Sequence, residues 1–135
     1  MHILQPPHWP RPKGYSNGVA GKGRLVFVSG MIGWDAEERL AGNDFVAQTR
    51  QALMNIVEVL AEAGAKPEHI VRMTWYVVDR NEYIAASKAL GSIYREIIGP
   101  YYPAMTAVQV VALIVEQARV EIEVTAVVPD LTTPD

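Results

Sequence analysis

The chain has 135 residues, half of them hydrophobic and a fifth charged, with a net charge of −3 and no cysteine. That length suits a single domain, which buries roughly two thirds of the surface its unfolded chain exposes and needs no metal or disulfide staple. The missing cysteine excludes disulfides, thiolate metal sites and a cysteine nucleophile, and the acidic balance without any Lys/Arg cluster argues against nucleic-acid binding.

Residues 1–14 carry Pro6, Pro7, Pro10 and Pro12. They predict an extended N-terminal arm, too polar and proline-rich for a signal peptide. No apolar run in the chain approaches the roughly 20 residues that span a bilayer. The expected location is cytoplasmic, with no membrane partner. A single domain is expected over residues 15–128, with a short tail over 129–135.

Residues 15–19 read as a short strand, turned by Ala20-Gly21-Lys22-Gly23 into a second over residues 24–29 (RLVFVS). Gly30 and Gly33 bracket Met31-Ile32, a pattern that predicts a bulge or sharp bend. Asn43 or Asp44 is a suitable N-cap for a first helix, whose apolar stripe is Thr49, Leu53, Ile56, Val57 and Leu60 and which Gly64 terminates. Residues 70–78 (IVRMTWYVV) form a β-branched and aromatic strand. Trp75 and Tyr76 must then face opposite ways.

Asp79 with Glu82 opens a second helix, carrying Tyr83, Ala86, Leu90, Ile93 and Ile97 on one side and stopped at Gly99-Pro100. Residues 106–115 (TAVQVVALIV) are almost wholly apolar, and residues 119–128 (RVEIEVTAVV) alternate. Their short Glu116-Gln117-Ala118 link suggests an antiparallel hairpin. The order is β-β-α-β-α-β-β, an α+β fold with a mixed sheet and two helices on one face. A strand apolar on both sides needs cover on its second face as well. Self-association is therefore expected, with the proline-rich arm as the alternative cover.

Five segments in this order, LVFVSG (25–30), AQTRQALMN (47–55), IVRMTWYVVD (70–79), Tyr102-Pro103-Ala104 and VEIEVTAV (120–127), resemble the reactive-intermediate deaminase family (RidA/YjgF, also called L-PSP endoribonucleases). The resemblance spans residues 15–128. It implies a chorismate-mutase-like fold, a homotrimer, and small-molecule clefts between subunits. The implied chemistry is hydrolysis of reactive imines or enamines to a carbonyl compound and ammonia, with no cofactor.

The family's water-handling glutamate falls on Glu121, its cleft tyrosine on Tyr15, and its Ser-Gly pair on Ser29-Gly30, followed by Met31. By strand pattern alone Glu121 belongs to a solvated face with Arg119 and Glu123. Tyr15 and Trp34 could equally be packing residues, and Gly30 a structural bulge. Trp34 is a candidate wall of the cleft.

Two positions depart from the family. The carboxylate-clamping arginine in its P-A-R-S-C segment is Met105 here, followed by Thr106, and an asparagine of the second helix is Ser87. A thioether offers only soft apolar contact where a guanidinium offers a charged bidentate clamp. A changed ligand is expected, unless Arg24, Arg50, Arg72, Arg80, Arg95 or Arg119 replaces the clamp.

His2, His8 and His69 lack metal-ligand spacing, so no metal is expected. The leading expectation is a hydrolytic deaminase of altered substrate. The alternative is a trimeric metabolite-binding protein without chemistry. A ribonuclease is disfavoured by the acidic charge and the lack of a catalytic histidine pair.

Overall fold

The computed structural model describes residues 1–130; the rest of the tail lies outside the described residues. Its strands are β1 (His2–Leu4), β2 (Gly18–Ala20), β3 (Arg24–Met31), β4 (Ile70–Val77), β5 (Ala104–Gln109) and β6 (Val120–Val128). Its helices are α1 (Phe45–Glu62), α2 (Arg80–Ala85) and α3 (Ser87–Ile97). The main sheet runs β3-β6-β4-β5, antiparallel except for the parallel β4–β5 pair, and β1 pairs with β2 in a separate two-stranded sheet. Among the described residues, no helix is long and apolar enough to cross a membrane.

Helix α1 begins where the sequence places it. Asp44 caps it by accepting a hydrogen bond from the Ala47 N–H at 2.8 Å. Its buried stripe includes Thr49, Leu53, Ile56 and Leu60, all fully shielded. Gln48, a polar side chain, is buried among them. It donates to the carbonyls of Gly42 and Gln117 and accepts from the Arg119 N–H at 2.8 Å, pinning α1 to the start of β6. Truncating Leu53, which has no exposed surface, is expected to cost about 2–5 kcal/mol. Urea unfolding of Leu53→Ala measures this, and a loss below about 1 kcal/mol would contradict the packing.

The second helix is two. Asp79 caps α2 through the N–H groups of Asn81 and Glu82, but the Glu82 side chain does not complete a capping box. It instead grips Arg119 Nε at 2.8 and 3.0 Å. The chain breaks at Ala86, where the Ser87 hydroxyl donates to the Ile84 carbonyl at 2.7 Å, and α3 continues with Leu90, Ile93 and Tyr94 buried. Serine hydroxyls compete with the helical ladder in this way.

The expected β5–β6 hairpin is not formed. β5 lies parallel to β4, with Thr106 opposite Thr74, and β6 sits on the other side of β4. A parallel neighbour requires a long crossover, and α2–α3 provides one between β4 and β5. The apolar run also outlasts its strand. Pairing ends soon after Gln109, where β4 ends too, and Val111 and Ile114 are fully exposed beyond it.

The arm is anchored as well, since His2–Leu4 pairs with Gly18–Ala20. The strand expected over residues 15–19 is correspondingly displaced. Ser16 forms only an isolated parallel bridge to Ala104, and regular pairing starts at Gly18.

The helices cover one face of the main sheet. Val28, Met73, Trp75, Val77, Val120, Ile122 and Val124 point into that core. Trp75 is inward and Tyr76 outward, as strand alternation requires. The other face carries polar side chains from β4 and β6 beside Leu25 and Phe27, which are 57% and 71% exposed, and Val108 at 42%.

Candidate functional site

Apart from Trp34, the sequence-derived site residues fall into two groups about the sheet. The first surrounds a bulge in β3. Val28 pairs with Val124 and Met31 with Ile122, so Ser29 and Gly30 together oppose the single residue Glu123. Glu121 is opposite Tyr76 of β4 and projects from the uncovered face. Its carboxylate lies directly against Gly30: a Cβ placed there would fall 2.0 Å from Glu121 Oε2. Glycine is thus required for this approach of backbone and carboxylate.

Next to it, the Tyr76 hydroxyl donates to Glu123 Oε1 at 2.6 Å. That hydrogen bond holds the Tyr76 phenol above its usual pKa, with smaller contributions from burial and from the charges of Glu123 and Glu121. Glu123 therefore has a partner, whereas Glu121 accepts no hydrogen bond from the described protein groups. Ser29 lines a shallow depression of about 390 Å³ on this face, with Phe27, Arg72, Thr74, Glu123 and Thr125. Thr106, in register with Thr74, faces the same way and is exposed.

The second group lies on the helix side, at the β5 edge. Tyr15, Ser87 and Met105 line one cavity of about 480 Å³. Its floor is Trp75, Met105 and Ala107, from neighbouring strands β4 and β5. Tyr83, Leu90, Tyr94 and Tyr102 form the walls. Trp75 meets Tyr83 edge-on at 6.1 Å, and Tyr94 stacks on Tyr102 at 5.6 Å, which stiffens them. Burial, with a further contribution from Tyr102, pushes the Tyr94 phenol up, and its hydroxyl donates to the Tyr101 carbonyl.

Tyr15 reaches this cavity because its neighbour is fixed. Ser16 is buried beside β5, its N–H donating to the Pro103 carbonyl at 2.9 Å and its hydroxyl to that of Tyr102.

Trp34 joins neither group. It lines a third depression with Glu38, Leu40, Val115 and Gln117, and forms an isolated bridge with Leu40. Asn55 of α1 holds this loop by donating to the carbonyls of Ile32 at 3.2 Å and Trp34 at 2.8 Å. Sequence reasoning passed over Asn55, although it closes one of the segments that carry the family resemblance. Among the described residues, no three His, Asp or Glu side chains gather as a metal site would need.

The arginines separate clearly. Arg24 donates to the Ala63 carbonyl at 2.7 Å, Arg50 pairs with Glu96, and Arg119 pairs with Glu82. Arg72 lies on the uncovered face, and Arg80 lines neither the cavity nor the depressions. Only Arg95 of the six reaches the cavity wall, and Lys13 of the arm joins it there.

Comparison with known proteins agrees with this architecture. Residues 9–128 match the family described as Endoribonuclease L-PSP. The chain is 36% identical over 111 residues to the 2-iminobutanoate/2-iminopropanoate deaminase of Capra hircus, covering 82% of this chain and 77% of the relative. It is 36% identical over 130 residues to a RutC family protein of Aquifex aeolicus, covering 94% and 99%. Among solved structures, a conserved Rid-family protein of unknown function from Yersinia pestis superimposes with a TM-score of 0.84 at 33% identity, covering 94% of this chain and 98% of that one. With its bulged β3, mixed sheet and helix-covered face, the chain belongs to the Endoribonuclease L-PSP family, and so to the reactive-intermediate deaminase (RidA/YjgF) superfamily.

Proposed function

We propose that this protein hydrolyses a reactive imine or enamine in clefts shared between copies of the chain, on a substrate that differs from the short-chain imino acids named for its mammalian relatives. The observation that carries this reading is the separation of Glu121 from the Tyr15–Met105 cavity. Among the described residues, the cavity lining contains aromatic, apolar and cationic side chains but no carboxylate and no imidazole. The Glu121 carboxylate lies on the far side of the sheet, partly exposed and unpartnered among the described groups, with Leu25 and Phe27 exposed on the same face. A second copy seated on that face, in a homotrimer, would bring Glu121 of one subunit to the cavity of another.

The chemistry then asks little of the protein. Glu121 takes a proton from water as its oxygen attacks the C=N carbon, and the imine nitrogen is protonated to give a carbinolamine. Collapse of that adduct moves a proton from its hydroxyl to the nitrogen and releases ammonia with the carbonyl product. The Gly30–Met31 backbone lies close enough to Glu121 to border the reacting atoms. Tyr15, Ser87 and Met105 shape the side of the cleft that holds the substrate.

A second reading has its own support. Taken by itself, the cavity is a binding site whose described lining holds no carboxylate or imidazole to act on water, as in a metabolite-binding protein that performs no chemistry. A panel of freshly generated imines, from 2-iminopropanoate to bulky and uncharged ones, separates the two by ammonia release. Turnover of a bulky imine supports the enzyme, and binding without turnover of any member supports the alternative. Met105→Arg provides the converse check. A restored clamp is expected to raise kcat/KM for 2-iminopropanoate by about tenfold or more, the value of a charge-assisted pair. No change in that ratio would mean that the cleft has diverged beyond this one residue.

A further inference from the structure

We infer that Arg95, assisted by Lys13, anchors the acid group of the substrate in place of the clamp lost at Met105, and that the substrate is a 2-imino acid with a large apolar or aromatic side chain. The inference rests on the reading that the helix-side cavity receives the substrate.

Anchoring first. Of the six arginines that could have replaced the clamp, three are spent on partners elsewhere, two lie away from the cavity, and Arg95 lines it. Among the described residues neither Arg95 nor Lys13 has an ion-pair partner within 4.0 Å. Two cations on one cavity, with no carboxylate in its lining among the described residues, select an anion.

The helix is shaped for this. Ser87, Gly91 and Arg95 follow one another at four-residue spacing on α3, so they form one row facing the cavity. Arg95 folds back along that row, with Nη1 3.5 Å from where a Cβ on Gly91 would stand. Glycine is a poor helix former in mid-helix, and here it leaves the row open between Ser87 and the guanidinium.

Size and chemistry of the remainder follow from the walls. A cavity of about 480 Å³ floored by Trp75, Met105 and Ala107 far exceeds what a two- or three-carbon side chain fills. Met105 adapts its shape to apolar groups, and the Tyr83 and Tyr102 rings offer aromatic contact.

Calorimetric titration with phenylpyruvate, the 2-oxo acid bearing a benzyl group, tests the inference without requiring turnover. Wild-type protein is expected to bind it at least about tenfold more tightly than pyruvate. Arg95→Ala should weaken phenylpyruvate by about tenfold or more, Arg95→Lys by less, and leave the affinity for its methyl ester unchanged. Arg95 is exposed and unpaired among the described residues, so the variant should fold, and circular dichroism verifies this. Unchanged phenylpyruvate affinity in Arg95→Ala, equal loss for acid and ester, or pyruvate binding as tightly as phenylpyruvate would each overturn the inference. The two proposals fail separately. Arg95-dependent binding without hydrolysis of any imine removes the enzymatic reading alone, whereas imine hydrolysis with a KM untouched by Arg95→Ala removes this one alone.

Discussion

Glu121→Gln is expected to lower kcat for imine hydrolysis by about 10²–10⁴-fold, the range typical of losing a general base. The amide keeps the volume of the carboxylate against Gly30 but cannot accept a proton from water. KM and thermal stability should hardly move, because Glu121 is partly exposed and its side chain makes no hydrogen bond among the described residues whose loss would unsettle β6. Steady-state ammonia release on whichever imine the wild type turns over supplies the measurement, with a melting curve as control. A kcat within about threefold of wild type would remove Glu121 from the chemistry.

Gly30→Ala probes the same contact from the other side. Its Cβ would fall 2.0 Å from Oε2, 2.7 Å from Cδ and 2.9 Å from Cγ of Glu121, so the whole side chain must turn away from its present place. Activity should fall with little change in melting temperature.

Phe27→Asp carries the second large effect. Phe27 is 71% exposed and Leu25 57% on a sheet face that no helix among the described residues covers. Burying such side chains between copies would stabilise an assembly by about 1.5–3 kcal/mol per large apolar residue. A carboxylate at position 27 removes that gain and would place a charge in the depression that Glu123 also lines, in a buried contact, a configuration that costs several kcal/mol more. Sedimentation should therefore change from a homotrimer in the wild type to a monomer, with hydrolysis lost although Glu121 and the cavity remain within each chain. A wild type that is already monomeric would end the shared-cleft reading. Mixing supplies a sharper version. Glu121→Gln subunits and Ala107→Phe subunits, whose cavity is filled, are each expected to be inactive. Co-refolded in equal amounts, they should regain activity in about a quarter of the sites, since a shared site can draw its two halves from different chains. Sites contained within one chain would regain none.

Local features were readable from the residues themselves. Asp44 and Asp79 are helix caps in the structure, Gly30 lies in the β3 bulge, and Trp75 and Tyr76 face opposite ways. Each depends on neighbours within a few positions, where capping, steric freedom and side-chain alternation act directly. The five short segments carried the family for the same reason.

What depends on distant residues was not readable. The apolar run beginning at Thr106 has strand composition, yet its partner is β4 across a helical crossover, and its pairing ends soon after Gln109 because β4 ends there. Gln48 reads as a polar helix residue, and only the arrival of Gly42, Gln117 and Arg119 makes it a buried pin. The six arginines were indistinguishable as residues. Packing engaged three of them, turned Arg72 outward and left Arg95 on the cavity.

The sequence by itself thus determined most of the element types, the starts of α1 and α2, the bulge and the set of residues from which a site could be drawn. Tertiary structure decided which face of the sheet each of those residues occupies, putting Glu121 on one side and Met105 on the other. Alternation along a strand ties a residue only to its immediate neighbours, and strand order and register, which set the side and the company it keeps, come from contacts between segments far apart in the chain.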